Sequence, residues 1–134
     1  KLAVSSLLAD IDRFKHINDT HGHVTGDSVL RQVGEVLRRQ ARSVDLVARY
    51  GGEEFVVVMP ETALHGAHIF AERLRRRLAG HDFADPGQPP LNITVSIGVA
   101  SFPDERVQNA DGFVSLADQA LYRAKNDGRN LVRE

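Results

Sequence analysis

The chain predicts one α+β domain, an antiparallel-rich sheet backed by helices in the ferredoxin-like manner. Three observations carry this expectation. Strand-like apolar runs and helical stripes follow one another in the order strand, helix, hairpin, helix, strand, helix. A double-glycine turn joins two of the short runs. The 134 residues, 42% hydrophobic and 26% charged, supply one real core and leave no room for a second domain, so residues 1–134 read as a single unit.

Each element has its own signal. Leu7 to Asp12 reads as a buried strand that turns polar where it emerges. Asn18 to Asp27 reads as a polar, glycine-bearing loop running into a helix start, where unpaired backbone N–H groups could receive phosphate. From Gly26-Asp27 to Arg42, the residues Val29, Leu30, Val33, Val36, Leu37 and Ala41 recur at helical spacing, with Asp27 placed to suit the helix dipole. Asp45 to Tyr50, Gly51-Gly52-Glu53-Glu54, and Phe55 to Met59 read as strand, tight turn, strand. Ala63, Ala67, Phe70, Ala71, Leu74 and Leu78 form a second helical stripe; Phe113, Ala117, Ala120, Leu121 and Ala124 form a third. Between them Ile93, Val95, Ile97 and Val99 alternate with Asn92, Thr94, Ser96 and Gly98, the period of a strand. Leu131-Val132 is a candidate last strand, and the cluster from Asp85 to Pro90 a surface loop.

Composition excludes several function classes. Seventeen Lys+Arg against eighteen Asp+Glu give a net charge of −1, so no global field would draw the chain onto a nucleic acid polymer or an anionic membrane. Arg73, Arg75, Arg76 and Arg77 spread around their helix and lack neighbouring aromatics on which bases could stack. Zero cysteines rule out disulfides, thiolate metal sites and thiol catalysis. The longest apolar run, Phe55 to Met59, is far below the ~20 residues of a membrane helix, so no direct membrane insertion is expected. Lys1 opens directly onto Leu2, Ala3 and Val4, which reads as a cut inside a larger protein.

Chemistry concentrates at two places. Asp10 and Asp12, two apart at the first strand's end, are expected to point to opposite faces, so that only one meets a given ligand, while Ile11 offers a backbone carbonyl. Glu53 and Glu54 ride on the hairpin tip and come close to Asp10 if the hairpin stacks beside the first strand. Carboxylates plus a carbonyl make a hard all-oxygen site of the kind Mg²⁺ accepts. The alternative is that these acids are merely solvated turn residues. His21 and His23 have no third ligand in register for zinc. Lys125 to Arg129 follow the third stripe as a glycine-containing helix stop, and Lys125 and Arg129 could also bind phosphate.

Taken together, Asp10-Ile11-Asp12-Arg13-Phe14-Lys15, Ile17-Asn18-Asp19, Gly22-His23, Gly26-Asp27, Arg49-Tyr50-Gly51-Gly52-Glu53-Glu54-Phe55 and Ser96-Ile97-Gly98-Val99 resemble the GGDEF family of diguanylate cyclases, here in a GGEEF spelling. The resemblance runs from about Leu7 to the end. It implies a fold related to adenylyl cyclases and polymerase palms, and an enzyme that joins two GTP into cyclic di-GMP with release of two pyrophosphates. Each domain would hold one GTP, so a homodimer is needed for catalysis.

Carried over by position, the resemblance implies Asp10, the Ile11 carbonyl and Glu53 as ligands of Mg²⁺ (or Mn²⁺). Glu53 is also the implied base, and Glu54 supports metal and nucleotide placement. Asn18 and Asp27 resemble the guanine-reading pair, with His23 nearby. The backbone of Arg13 and Phe14, with Lys15, Lys125 and Arg129, would hold the triphosphate, Lys15 stabilising the reacting phosphate. Arg42-Ser43-Val44-Asp45 matches the family's RxxD product-inhibition motif, and Arg73 matches an arginine that completes it. On spacing alone, Arg42 and Asp45 could equally be an ordinary ion pair. The family's usual amino-terminal helix and D-x-L-T-x-L-x-N-R segment are missing from this sequence. The rival reading is a non-catalytic cyclic di-GMP receptor using only Arg42, Asp45 and Arg73. GTP implies the cytoplasm, with any upstream regulatory domain, or membrane anchor of the parent protein, outside these residues.

Overall fold

The computed structural model describes residues 3–134, so the expected cut at Lys1 lies outside the described residues. The elements run β1 (Val4–Ile11), α1 (Phe14–His21), α2 (His23–Gln40), β2 (Leu46–Arg49), β3 (Glu54–Pro60), α3 (Leu64–Ala79), β4 (Val95–Phe102), α4 (Ala110–Asn126) and β5 (Val132–Arg133). The strands form one sheet in the order β2-β3-β1-β4-β5. All pairings are antiparallel except β4 with β5. β1, the most buried strand, is central; five of its eight residues are apolar, and Ser5, Ser6 and Asp10 are buried with them.

Alternation along the strands divides the core. Leu7, Ala9 and Ile11 of β1, with Phe55, Val57, Met59, Val95, Ile97 and Val99, pack against the apolar stripes of α2 and α3. Leu8 and Ala100 face the other way, toward Leu116, Ala117 and Leu121 of α4. At Gly98 helix α4 crosses β4 so closely that an added Cβ would lie 2.9 Å from Leu121 Cα and nearer still to Ala117 O and Leu121 N. That close approach fixes α4, and with it Lys125, against the end of β1.

The expected polar loop over Asn18–Asp27 is instead two helices. Helix α1 buries Ile17, and the break falls at Gly22, whose φ of 89° and ψ of 163° suit only glycine. Helix α2 therefore starts at His23, placing Asp27 in its second turn rather than at its start. Two boundaries also shift. β4 begins at Val95, with one further bond in the same register beyond it, from the Asp12 amide to the Thr94 carbonyl, and β5 is Val132–Arg133 rather than Leu131-Val132. No helix among the described residues is long and apolar enough to cross a membrane.

Candidate active site

Asp10 is the penultimate residue of β1 and 5% exposed. Its cross-strand partner on β3 is Glu54, so the register of the central pair sets the first acid of β3 directly opposite it. The hairpin tip then folds over the strand end, where the Ile11 amide donates to the Glu53 carbonyl at 3.2 Å. Arg49 latches the tip from inside, its guanidinium donating to the carbonyls of Gly51 (3.3 Å) and Gly52 (2.6 and 3.0 Å). The amides of Tyr50 and Gly51 both reach Glu54 O.

The result is a cleft of about 210 Å³ lined by Asp10, Ile11, Asp12, Arg13, Phe14, Lys15, Glu53, Lys125 and Arg129. The strand end and acidic bend thus converge as expected. Lys125 Nζ, from the last turn of α4, donates to Asp10 Oδ2 at 2.7 Å. Burial alone would lower the Lys125 pKa, but the Asp10 hydrogen bond and the charges of Asp10, Glu54 and Glu53 raise it, so this lysine stays cationic. Glu54 is raised above its ordinary value by burial first, then by the Asp10 charge and a hydrogen bond with Asp10, with Lys125 opposing. The carboxylates are crowded enough to favour another cation.

A hard divalent ion fits this donor set. Among the described residues no cluster of three or more His, Cys, Asp or Glu is arranged to hold a metal. Two carboxylates and a carbonyl suit Mg²⁺, which keeps several water or phosphate oxygens of its own.

Asp10 and Asp12 both line the cleft, correcting the expectation of opposite faces. Residues two apart on a strand share a face. What separates their chemistry is that β1 ends at Ile11 and Asp12 lies in the turn beyond. There its oxygens accept from Thr94 Oγ1, Ser96 Oγ and Asn130 N, leaving it engaged with the protein.

Arg13 adopts a left-handed φ of 56° and turns the chain from β1 into α1, whose N-terminus has no side-chain cap. The first amides of α1 thus have no side-chain cap, and Arg13, Phe14 and Lys15 at this turn line the cleft. Lys15 is exposed and pairs with Asp19 one turn on, at 3.2 Å. Asn18 packs against Gly26, where any side chain would collide with its amide group; its Oδ1 is buried without a partner. Asp27, next to Gly26, lines a cavity of about 450 Å³ with Leu30, Arg31, Arg38 and Arg49. His23 opens α2, exposed, and lines neither cavity.

A further cavity, of about 510 Å³, brings Arg42, Asp45 and Arg73 together. Within it Arg42 grips Asp45 at 2.8 Å and also donates to Pro60 O and Thr62 Oγ1, so the ion pair and the shared pocket coexist. Arg73 lies over the Phe70 ring, 5.5 Å from its centroid. Sequence reasoning missed Arg49 as hairpin latch and Asp12 as anchor. Arg49 could have been found, since it stands two and three residues before the glycines whose carbonyls it binds; Asp12 acts through residues more than eighty positions away.

The profile of the diguanylate cyclase GGDEF domain matches residues 1–131. The chain is 48% identical to the response regulator PleD of Caulobacter vibrioides over 130 residues, 96% of this chain and 28% of that protein. It is 49% identical to diguanylate cyclase DgcM of Escherichia coli over 128 residues, 96% of this chain and 30% of that one. It therefore spans less than a third of these curated relatives. The GGDEF domain of DgcB from Caulobacter crescentus, solved in complex with c-di-GMP, superposes with a TM-score of 0.90 at 35% identity, covering 98% of this chain and 77% of that one.

Proposed function

The chain belongs to the GGDEF family of diguanylate cyclase domains, and on that footing we propose that it condenses two GTP into cyclic di-GMP, within a longer protein whose other parts regulate it. The observation that carries this reading is the convergence of Asp10, Glu53, Lys15, Lys125 and Arg129 on one cleft.

In this reading the uncapped first amides of α1, with Lys15, Lys125 and Arg129, hold the triphosphate by charge-assisted bonds. The orphaned Asn18 Oδ1 and Asp27 supply polar groups for the guanine edge, with His23 beside them. Asp10, the Ile11 carbonyl and Glu53 would hold Mg²⁺ (or Mn²⁺), with Glu54 in support. Bound there, the metal supplies charge stabilisation for the phosphate oxygens. Glu53 takes the proton from a 3′-hydroxyl, whose oxygen bonds to the α-phosphorus of the other GTP as the bond to the β-phosphate breaks and pyrophosphate leaves. Lys15 neutralises charge on the reacting phosphate. One domain holds one nucleotide, so the two bonds close only across a two-fold pair of domains.

Product inhibition is assigned to Arg42, Asp45 and Arg73. Their shared cavity supports this, since Arg can fork onto phosphate or guanine and Asp can accept from a guanine edge.

The test is incubation of the chain, fused to a dimerising coiled coil, with GTP and Mg²⁺, and identification of products by mass. Cyclic di-GMP and pyrophosphate are expected. Binding of cyclic di-GMP without any turnover of GTP would replace the cyclase reading with that of a receptor.

A further inference from the structure

Asp12 plays no part in the chemistry above, yet it is 8% exposed and accepts three hydrogen bonds: Thr94 Oγ1 at 2.6 Å, Ser96 Oγ at 2.6 Å and Asn130 N at 3.0 Å. The first two come from β4 and the residue leading into it, whereas the last lands on an unusual piece of backbone after α4. Arg129 and Asn130 are consecutive left-handed residues, with φ of 63° and 51°, following Gly128 at 128°. Side chains disfavour that conformation, so two such residues in a row persist only where contacts determine them.

Those contacts come from three elements. Arg129 N donates to Ala124 O in α4 at 3.0 Å, and Asn130 N to Asp12 at the end of β1. Asn130 Oδ1 accepts from Arg75 Nη1 of α3 at 2.9 Å. Arg75 cannot drift, because Glu72 holds the same guanidinium at 2.6 and 2.9 Å, and its side chain is only 17% exposed. The bend so fixed is what carries Arg129 into the cleft beside Asp10, Lys15 and Lys125.

We propose that Asp12, Asn130 and Arg75 are positioning residues that hold the left-handed bend and thereby aim Arg129 at the phosphates of the substrate. The inference rests on the reading of Arg129 as a phosphate-binding residue. It gives α3 a second task besides presenting Arg73, since the link from Arg75 to Asn130 is a side-chain bridge from that helix to the catalytic cleft. None of the three residues needs to touch substrate for this.

The bridge is best cut away from Asp12, whose burial at the strand end makes its variants prone to misfold. Asn130→Gly keeps the left-handed bend accessible while deleting the acceptor of Arg75; Arg75→Met deletes the donor; Asn130→Asp keeps the acceptor. The readouts are calorimetric affinity for inorganic tripolyphosphate and the split of KM for GTP from kcat in the dimerised chain. Asn130→Gly and Arg75→Met are expected to weaken tripolyphosphate binding about fivefold and raise KM alike, with kcat little changed and Asn130→Asp near parent. In an Arg129→Ala background the same substitutions are expected to cost nothing further. Undiminished affinity in both bridge variants, or a loss that persists in full without Arg129, overturns the positioning role while leaving Arg129 as a phosphate ligand. An Arg129→Ala variant that binds tripolyphosphate like the parent overturns the phosphate reading itself, and the inference with it.

Discussion

Gly98→Ala is the sharpest probe of how the fold places the cleft. The added methyl would meet backbone of α4 at Ala117 O, Leu121 N and Leu121 Cα, none of which can rotate aside. Helix α4 must lift by roughly 1 Å to restore ordinary contact, a gap that forfeits a quarter to a half of each affected dispersion contact. The side chains losing them are Leu116, Ala117, Ala120, Leu121 and Ala124, all buried under that helix. Overpacking of this kind costs about 1–3 kcal/mol, offset by about 0.4–1 kcal/mol from the lower entropy of the unfolded alanine chain. From the middle of each range the net loss is about 1.3 kcal/mol, a drop of roughly 4–7 °C in Tm for a domain of this size. Lys125 rides on the displaced helix, so KM for GTP is expected to rise with it. Thermal and urea unfolding followed by circular dichroism, with steady-state kinetics alongside, measure both effects. A variant as stable as its parent, with the same KM, would refute the claim that contact at Gly98 seats the lysine.

Three other outcomes follow from the same geometry. Glu53→Gln is expected to lower turnover at least a hundredfold with the unfolding transition unchanged, because the residue sits half-buried at a bend and empties no core volume; a rate within tenfold of the parent contradicts its role. Arg42→Ala is expected to sustain synthesis while product accumulates, read as progress curves that no longer bend over, at little cost in initial rate; curves as curved as the parent's would remove the Arg42 pocket from the account. Glu72 is held down to about 2, by the Arg75 hydrogen bond first, with burial opposing and the Arg75 and Arg76 charges assisting. A lowered carboxylate pKa stabilises the fold above the ordinary value of 4.5 and ceases to do so as pH falls toward 2. Acid unfolding of Glu72→Gln should accordingly show a shallower stability loss across that window, and identical slopes would discount the Arg75 clamp.

Much of this was legible in the sequence where the signals are local. Double glycine between two apolar runs marks the hairpin, and period-two alternation marks β4, because both depend on neighbours within a few residues. The acidic cleft was legible because Asp10 and Glu54 lie on strands whose hydrophobic faces set their register. Helix α1 was not: Asn18, Asp19, Thr20 and His21 are weak helix formers, and the helix exists by burying Ile17 and packing on α2. Nor was the task of Asp12, whose partners Thr94, Ser96 and Asn130 become neighbours only when β4 and the chain after α4 close on the strand end. Arg42 and Asp45 were legible as a pair, but the cavity that Arg73 completes depends on the placement of α3.

The central claim is that the end of β1 and the hairpin tip share one divalent ion beside the substrate's phosphates. Electron paramagnetic resonance of Mn²⁺ titrated into the chain with a non-hydrolysable GTP analogue tests it without turnover. One tight site is expected in the parent, weakened about tenfold or more by the loss of one charged ligand in each of Asp10→Asn and Glu53→Gln. Equal Mn²⁺ affinity in all three proteins would contradict it.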